Sequence, residues 1–306
     1  LTPPPPAPHR SGFVAVVGRP NVGKSSLINH YLEQKIAIVS DKPQTTRQTQ
    51  LGIITRPEAQ LIFVDTPGLH DPKTELGQYM TNEAARSILD ADVVLFMADV
   101  SLPPNADDAR LAELLTKKPG LAPVIIALNK SDRLKPEHVI LHSDAYRALV
   151  PEAPWLLVSA KRGDNLDELL RLLLNALPEG PVLYPEDEVT QTHLRDLAGE
   201  FIREAALNAL DQEVPHGIAV EVDEFKERPQ NTTYISAVIY VERESHKKIV
   251  IGKGAEMLKK IGMTARQAIE RLLEDRKAFL ELRVKVRPHW RKDKREVERL
   301  GYKRRE

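Results

Sequence analysis

Cysteine is absent from the 306 residues, which excludes disulfides and every cysteine-based metal site or nucleophile. The nine histidines are scattered without a paired metal-ligand spacing, so no metal-cluster partner is expected. No apolar run approaches the roughly 20 residues that span a bilayer. Residues 1–8 are rich in proline and lack the charged and apolar regions of a secretory signal, so a disordered tail over 1–11 and a cytoplasmic location are expected. Net charge is lacking too, since 44 Lys and Arg balance 44 Asp and Glu. That balance hides an asymmetry: residues 1–242 carry −11 and residues 243–306 carry +11. A basic end on a neutral chain is the electrostatic footprint of a phosphate-bearing partner, either a nucleic acid or the anionic inner face of a membrane.

What is present begins with Gly18-Arg19-Pro20-Asn21-Val22-Gly23-Lys24-Ser25, a Gly-x-x-x-x-Gly-Lys-Ser loop between an apolar run at 13–17 and an amphipathic stretch at 26–32. Strand, glycine-rich loop and helix in that order form a phosphate cradle. Backbone N–H groups from Gly18 through Ser26 curl around phosphate oxygens, Lys24 supplies a point cation, and the Ser25 hydroxyl is a ligand for Mg²⁺. Asp65-Thr66-Pro67-Gly68 follows a second apolar strand at 61–64, which places the Asp65 carboxylate where it can hold the same Mg²⁺. Gly68 then offers a bare N–H to the terminal phosphate.

Asn129-Lys130-Ser131-Asp132 ends a third apolar strand, 123–128. A carboxylate only accepts hydrogen bonds, and guanine, unlike adenine, presents two donors on one edge; Asp132 therefore selects GTP over ATP. Ser159-Ala160-Lys161 closes a fourth strand, 155–158, where a backbone N–H meets the guanine oxygen and the lysine stem covers the ring. Four motifs at the carboxyl ends of four strands match the rule for ligand sites in open α/β sheets.

The wording of these motifs resembles bacterial ribosome-assembly GTPases of the translation-factor class. Lys42-Pro43-Gln44-Thr45-Thr46-Arg47 is similar to the first switch of the Era GTPases, in which a threonine joins the Mg²⁺ shell while GTP is bound. Thr46 is the expected ligand and Thr45 the rival. The place after Asp-Thr-Pro-Gly, which holds a water-orienting glutamine in Ras-like enzymes, is Leu69 here, so slow intrinsic hydrolysis is expected. Similar GTPases with an apolar residue at that place recruit K⁺ through the phosphate-loop asparagine, which is Asn21. His70 reads as a solvated side chain rather than a base.

At this length two domains are expected. Residues 12–178 read as an α/β P-loop GTPase domain of Ras-like type and 179–192 as a Pro-rich acidic linker; 193–306 read as a second, α+β domain with a basic tail. The second domain shows the order α-β-β-α-α-β. Its segment Val250-Ile251-Gly252-Lys253-Gly254-Ala255 resembles the Gly-x-x-Gly loop of type II KH domains, which clamps single-stranded RNA. Ala255 stands where the pattern has its second glycine; if Ala255 opens the next helix, its Cβ is tolerated. Ile251 through Ala255, Lys259, Lys260, Arg287, Trp290 and Arg291 are the candidate RNA contacts, with Trp290 stacking on bases, packing on the strand 283–287, or doing both with its two faces. From 12 to 302 the chain resembles the Era family, which implies GTP, GDP and Mg²⁺ as ligands. The same resemblance implies the single-stranded 3′ end of 16S rRNA and the small (30S) ribosomal subunit as partners. The alternatives are a GTP-regulated adaptor for proteins or a membrane surface, and an RNA-binding scaffold that does not hydrolyse.

Overall fold

The computed structural model describes residues 9–42, 44–69, 72–117, 120, 122–274 and 276–303. The tail 1–8, Pro43, His70 and residues 304–306 lie outside the described residues. The chain divides into two compact units, one of Leu1–Ala37, Thr46–Asp71 and Met80–Gln191, the other of Ile38–Thr45, Pro72–Tyr79 and Thr192–Glu306.

In chain order the elements begin β1 (Arg10–Val17), α1 (Lys24–Leu32), β2 (Gln50–Arg56), β3 (Ala59–Asp65), α2 (Glu75–Leu89) and β4 (Val93–Asp99). They continue with α3 (Ala106–Thr116), β5 (Val124–Asn129), α4 (Val139–Arg147), β6 (Trp155–Leu157) and α5 (Leu166–Ala176). Six strands form one sheet in the order β2-β3-β1-β4-β5-β6, parallel except for β2. Strands β3 and β4 are buried at every position, as inner strands of a sheet covered on both faces must be, which is why 61–64 and 93–98 read as apolar runs. Leu166, Leu169, Leu170 and Leu173 recur at helical spacing and are the buried face of α5. The loops that carry the phosphate and base motifs all leave the carboxyl ends of β1, β3, β5 and β6.

Two expected boundaries move. Arg10 and Ser11 belong to β1, paired with Ala59 and Gln60, so the ordered chain starts before residue 12. The stretch 179–192 is also no bare linker. The fully buried Gln60 amide donates to Tyr184 O at 2.8 Å, while its oxygen accepts from Leu183 N and Tyr184 N at 2.8 and 2.9 Å. Ile53 N donates to Val189 O at 2.8 Å. A buried side-chain amide must find such partners, and backbone free of regular structure supplies them.

The second unit contains α6 (Leu194–Ala209), β7 (Ala219–Arg228), β8 (Thr232–Val241), α7 (Glu244–Ile251), α8 (Glu256–Leu272), β9 (Lys277–Val286) and α9 (Lys294–Arg299). Its sheet runs β7-β8-β9, antiparallel then parallel, and its helices bury one core with Phe201, Ile235, Ile239, Ile261 and Ile269. The order α-β-β-α-α-β is the one expected. Ile38 joins the same core, and the segment around it is tied down further: Glu204 Oε1 accepts from Val39 N at 3.0 Å, Lys42 pairs with Asp211 at 2.8 Å, and the buried Arg203 guanidinium donates to Thr45 O. Residues 38–45 therefore do not belong with the unit that holds the phosphate motifs, as a contiguous 12–178 domain requires.

Trp290 corrects the reading of the basic end. It is fully buried, donates Nε1–H to Gly217 O at 2.9 Å, and stacks on the buried Tyr302 at 6.0 Å between centroids. With both its faces and its donor committed inside, it has nothing to offer a base. Trp290→Ala should cost about 3–5 kcal/mol of stability. Urea unfolding followed by far-UV circular dichroism measures this, and a loss below about 1 kcal/mol would place the ring outside the core.

Candidate functional site

The phosphate loop joins β1 to α1 with no side chain capping the helix, so the first N–H groups of α1 remain available to an anion. Gly23 sits at φ 106°, and a Cβ there would fall 2.3 Å from Asn129 Nδ2, so both conformation and space demand glycine. Lys24 is buried, its Nζ donating to Gly18 O at 3.0 Å and Arg19 O at 2.9 Å. Burial pushes its ammonium down to about 8 against the opposing pull of Asp65. A phosphate beside it supplies the counter-charge that the loop lacks. Val22 is buried, Asn21 takes a left-handed φ of 64°, and Ser26 lies in the first turn of α1.

Three oxygens converge next to the loop. Ser25 Oγ donates to Asp65 Oδ2 at 2.8 Å, Thr46 Oγ1 lies 3.1 Å from Ser25 Oγ, and Thr46 Oγ1 is 3.4 Å from Asp65 Oδ2. Burial raises the Asp65 carboxyl above its usual range, opposed by Lys24 and by the Ser25 and Thr46 hydrogen bonds. Its other oxygen, Oδ1, is buried without a protein partner. A hard, oxygen-liganded cation such as Mg²⁺ suits this donor set. Of the two switch threonines, Thr46 brings its hydroxyl here, whereas Thr45 Oγ1 is spent on Lys42 O at 2.6 Å. Thr66 turns inward to Val16 O at 2.7 Å, which with the buried Pro67 stiffens the turn that presents Gly68. A Cβ on Gly68 would meet Pro20 N at 2.7 Å, so the two phosphate-facing loops touch backbone to backbone. Leu69 packs against the apolar core of the first unit.

The base motifs divide their labour. Asn129 is buried and clasps two loops, donating to Val22 O at 2.7 Å and accepting from Ala160 N at 2.9 Å. These two bonds fix its position between the phosphate loop and the Ser159–Lys161 loop. Lys130 pairs with Asp99 at 2.7 Å. Burial works against the Asp99 charge, yet hydrogen bonds from Lys130 and Ser101 hold its carboxyl below the usual range. Asp132 accepts from the buried Ser159 hydroxyl at 2.7 Å, which fixes one oxygen and orients the carboxylate. Lys161 is exposed beside Ala160.

Two contributors were missed from sequence. Asp99 ends β4, an apolar strand whose terminal carboxylate is the same signal that marked Asp65. Arg19 pairs with the buried Asp108 of α3 at 2.8 Å and so ties the phosphate loop to a helix; no motif connects the two residues.

In the second unit, α7 ends at Ile251 and the loop that follows holds Gly252 at φ 73°, Gly254 at φ 58° and Ala255 at φ 63°. A Cβ on Gly252 would fall 2.9 Å from Met257 N, so the loop closes on α8 through that glycine. The condition that Ala255 open the next helix is not met: it is the residue before α8, in a left-handed conformation that costs an L-residue about 1–2 kcal/mol. Strained backbone of this kind is held by its surroundings. Lys253, Gly254, Lys259 and Lys260 are exposed, while Ile251 is half-buried against the core. Beside the loop lies a groove of about 470 Å³ lined by Leu258, Lys259, Met263, Arg266, Leu280 and Leu282. An apolar floor with a basic rim suits unstacked bases and their phosphates. Arg287 and Arg291 are not in it. Arg287 pairs with Glu296 and lies over the Tyr240 ring, and Arg291 pairs with Glu242, so carboxylates already hold the guanidiniums assigned to RNA.

The family described as 50S ribosome-binding GTPase matches residues 13–130, and the KH domain family matches 213–291. The chain is similar to GTPase Era of Ruminiclostridium cellulolyticum, 48% identical over 96% of this chain and 98% of that one. It is likewise similar to GTPase Era of Halothermothrix orenii, 46% identical over 96% and 99%. Among solved structures it resembles Era in complex with MgGDPNP and nucleotides 1506–1542 of 16S ribosomal RNA, at TM-score 0.91 and 42% identity over 96% of this chain and 99% of that chain. An Aquifex aeolicus Era variant bound to GDP·AlF4⁻ matches equally well.

Asp132→Asn replaces an acceptor by a group that also donates, so the preference for GDP over ADP should fall at least tenfold, as loss of a charged hydrogen bond of about 1.5–3 kcal/mol implies. Calorimetric titration with both nucleotides checks this, and unchanged selectivity would show that Asp132 does not read the base.

Proposed function

We infer the function from kinship, since the chain belongs to the Era family of GTPases: it hydrolyses GTP, and its nucleotide state governs its grip on RNA. The observation that carries this reading is the presence, in one chain, of a guanine-selective phosphate cradle and a Gly-Lys-Gly-Ala loop beside an apolar groove. The RNA is the single-stranded 3′ end of 16S rRNA, and the task is assembly of the small ribosomal subunit. A ribosomal partner puts the protein in the cytoplasm. None of the helices among the described residues is long and apolar enough to cross a membrane.

Hydrolysis proceeds in a site whose groups mainly position and neutralise. Lys24 and the loop N–H groups hold the β- and γ-phosphates, and Gly68 N–H meets the terminal phosphate. Mg²⁺ held by Ser25, Thr46 and Asp65 would draw charge from the phosphate oxygens. Leu69 orients no water, so intrinsic turnover is slow. K⁺ held through Asn21 would supply positive charge at the phosphates, since Arg19 of the loop is paired with Asp108. Thr46 feels the terminal phosphate, and the next residue back, Thr45, is gripped by Arg203. Ordering or releasing Thr46 therefore pulls on a segment anchored by α6, the helix that also packs on α8 behind the RNA groove.

Gly252→Ala combined with Lys253→Ala should weaken binding to a single-stranded 16S 3′-end oligonucleotide at least tenfold while leaving GTP turnover within twofold. Fluorescence anisotropy over a salt series reads the first and phosphate release the second. Equal binding to the 16S sequence, a scrambled RNA and anionic vesicles would favour a membrane or adaptor role instead. Turnover should be several-fold faster in KCl than in NaCl at equal ionic strength; identical rates would remove K⁺ from the scheme.

A further inference from the structure

Strand β9 is the edge of its sheet, and its side chains alternate as an edge strand's must. Ala278 and Val284 are buried in the core with Leu280, Leu282 and Val286 packed against it, while Glu281, Arg283 and Lys285 face water. Phe279 breaks that pattern. It stands on the water-facing side with 58% of its surface exposed, where the period calls for a polar residue.

Its surroundings are ordered. Phe279 lies directly opposite Tyr234 in the β8–β9 register and stacks on it, with centroids 5.9 Å apart and planes at 20°. From the other neighbouring strand, the Arg228 guanidinium lies over the Tyr234 ring at 3.9 Å. Arg228, Tyr234 and Phe279 thus form a row of three planar groups across β7, β8 and β9, and Phe279 is the outermost, with the sheet edge beyond it. The Tyr234 hydroxyl is held by Glu281 at 2.9 Å, Arg283 pairs with Asp223, and Arg276 pairs with Glu227. The nearby carboxylates are thereby engaged, and Arg228 covers the face of Tyr234.

Phe279 also stands at the rim of the groove already described. Helix α8 runs antiparallel to β9 there: a Cβ on Gly262 would lie 3.5 Å from Leu282, and Glu270 accepts from Ala278 N at 3.0 Å. The groove therefore leads from the Gly-Lys-Gly-Ala loop past Leu282 to Arg266 and ends at Phe279. About eleven helical residues separate Ala255 from Arg266, or roughly 16 Å at 1.5 Å per residue. A KH loop clamps about four nucleotides. A strand that continues beyond them toward Arg266 arrives at an exposed ring.

We propose that Phe279 is a stacking platform for one further unpaired base of the bound RNA, outside the part clamped by the loop. The inference rests on the RNA reading above. Every base has a π-face, so the platform adds length-dependent affinity with little sequence preference, of a size that makes an added base worth about tenfold. Arg228 and Tyr234 hold the ring flat and ready, so little ordering cost falls on binding.

The test compares full-length protein with Phe279→Leu, which keeps an apolar side chain but has no ring, and Phe279→Trp, which enlarges the ring. Each is titrated with single-stranded RNAs of four nucleotides and with the same RNAs extended by two nucleotides at the 5′ or the 3′ end. In the wild-type protein, extension at one end should tighten binding about tenfold. Phe279→Leu should bind the four-nucleotide RNA as the wild type does and lose that gain, and Phe279→Trp should retain it. A gain of the same size in Phe279→Leu would overturn the platform. So would an equal loss for short and long RNAs, which would assign Phe279 to the shape of the groove. Thermal melts of each variant identify any loss that comes from unfolding. If the wild-type protein binds none of these RNAs at any length, the RNA reading itself fails and the platform with it, an outcome distinct from normal binding without a length effect.

Discussion

A carboxylate taken out of water at the end of a strand must be compensated, and Asp65 organises the first unit around that need. Its Oδ2 receives Ser25 from the phosphate loop, Thr46 lies within reach of both, and the buried Lys24 sets a positive charge nearby. The Oδ1 atom is left unpartnered and aims at the chemistry of a hard cation. The surrounding side chains keep this cluster in register. Asn129 ties the phosphate loop to the Ser159–Lys161 loop, Thr66 pins the turn before Gly68, and Arg19 reaches Asp108. A terminal phosphate and its metal would compete for these same oxygens.

The proposed coupling of this cluster to the second unit runs through chain connectivity. Thr46 belongs to the first unit and Thr45 to the second. Upstream of that peptide bond, Ile38 lies in the core formed with α6, Glu204 holds Val39 N, and Arg203 holds Thr45 O. Burial disfavours the Arg203 charge, but Glu200, Tyr302 and Glu204 keep the guanidinium firmly protonated. A buried charge held this way is costly to displace, so the segment is firmly anchored to α6. The proposed coupling needs no pathway beyond these contacts.

The sequence disclosed much of the site because chemistry and local geometry coincide there. Asp132, Asp65 and the glycines of the phosphate loop sit at the ends of apolar runs, so strand period and motif pointed to the same edge. The KH-like order was legible for the same reason, as α8 carries a clear helical period. Other features depend on contacts remote in sequence. Trp290 read as an aromatic among cations, but only the approach of Gly217 and Tyr302 buries it. Arg287 and Arg291 looked available until Glu296 and Glu242 took them. The stretch 179–192 lacks a period, yet Gln60 orders part of it through backbone groups that composition does not reveal. That residues 38–45 belong with the second unit is a matter of packing: Ile38 stands in the apolar run Ile36–Val39, and nothing local says which core it enters.

The most direct measurement is the affinity of the full-length chain for a single-stranded oligonucleotide of the 16S 3′ end, taken with a non-hydrolysable GTP analogue and Mg²⁺ and again with GDP and Mg²⁺. Coupling through Thr46 and the Arg203-anchored segment predicts that the two affinities differ, by roughly 5- to 150-fold if the coupling is of ordinary size. Equal affinities in both nucleotide states would contradict it, even with GTP hydrolysis and RNA binding each intact.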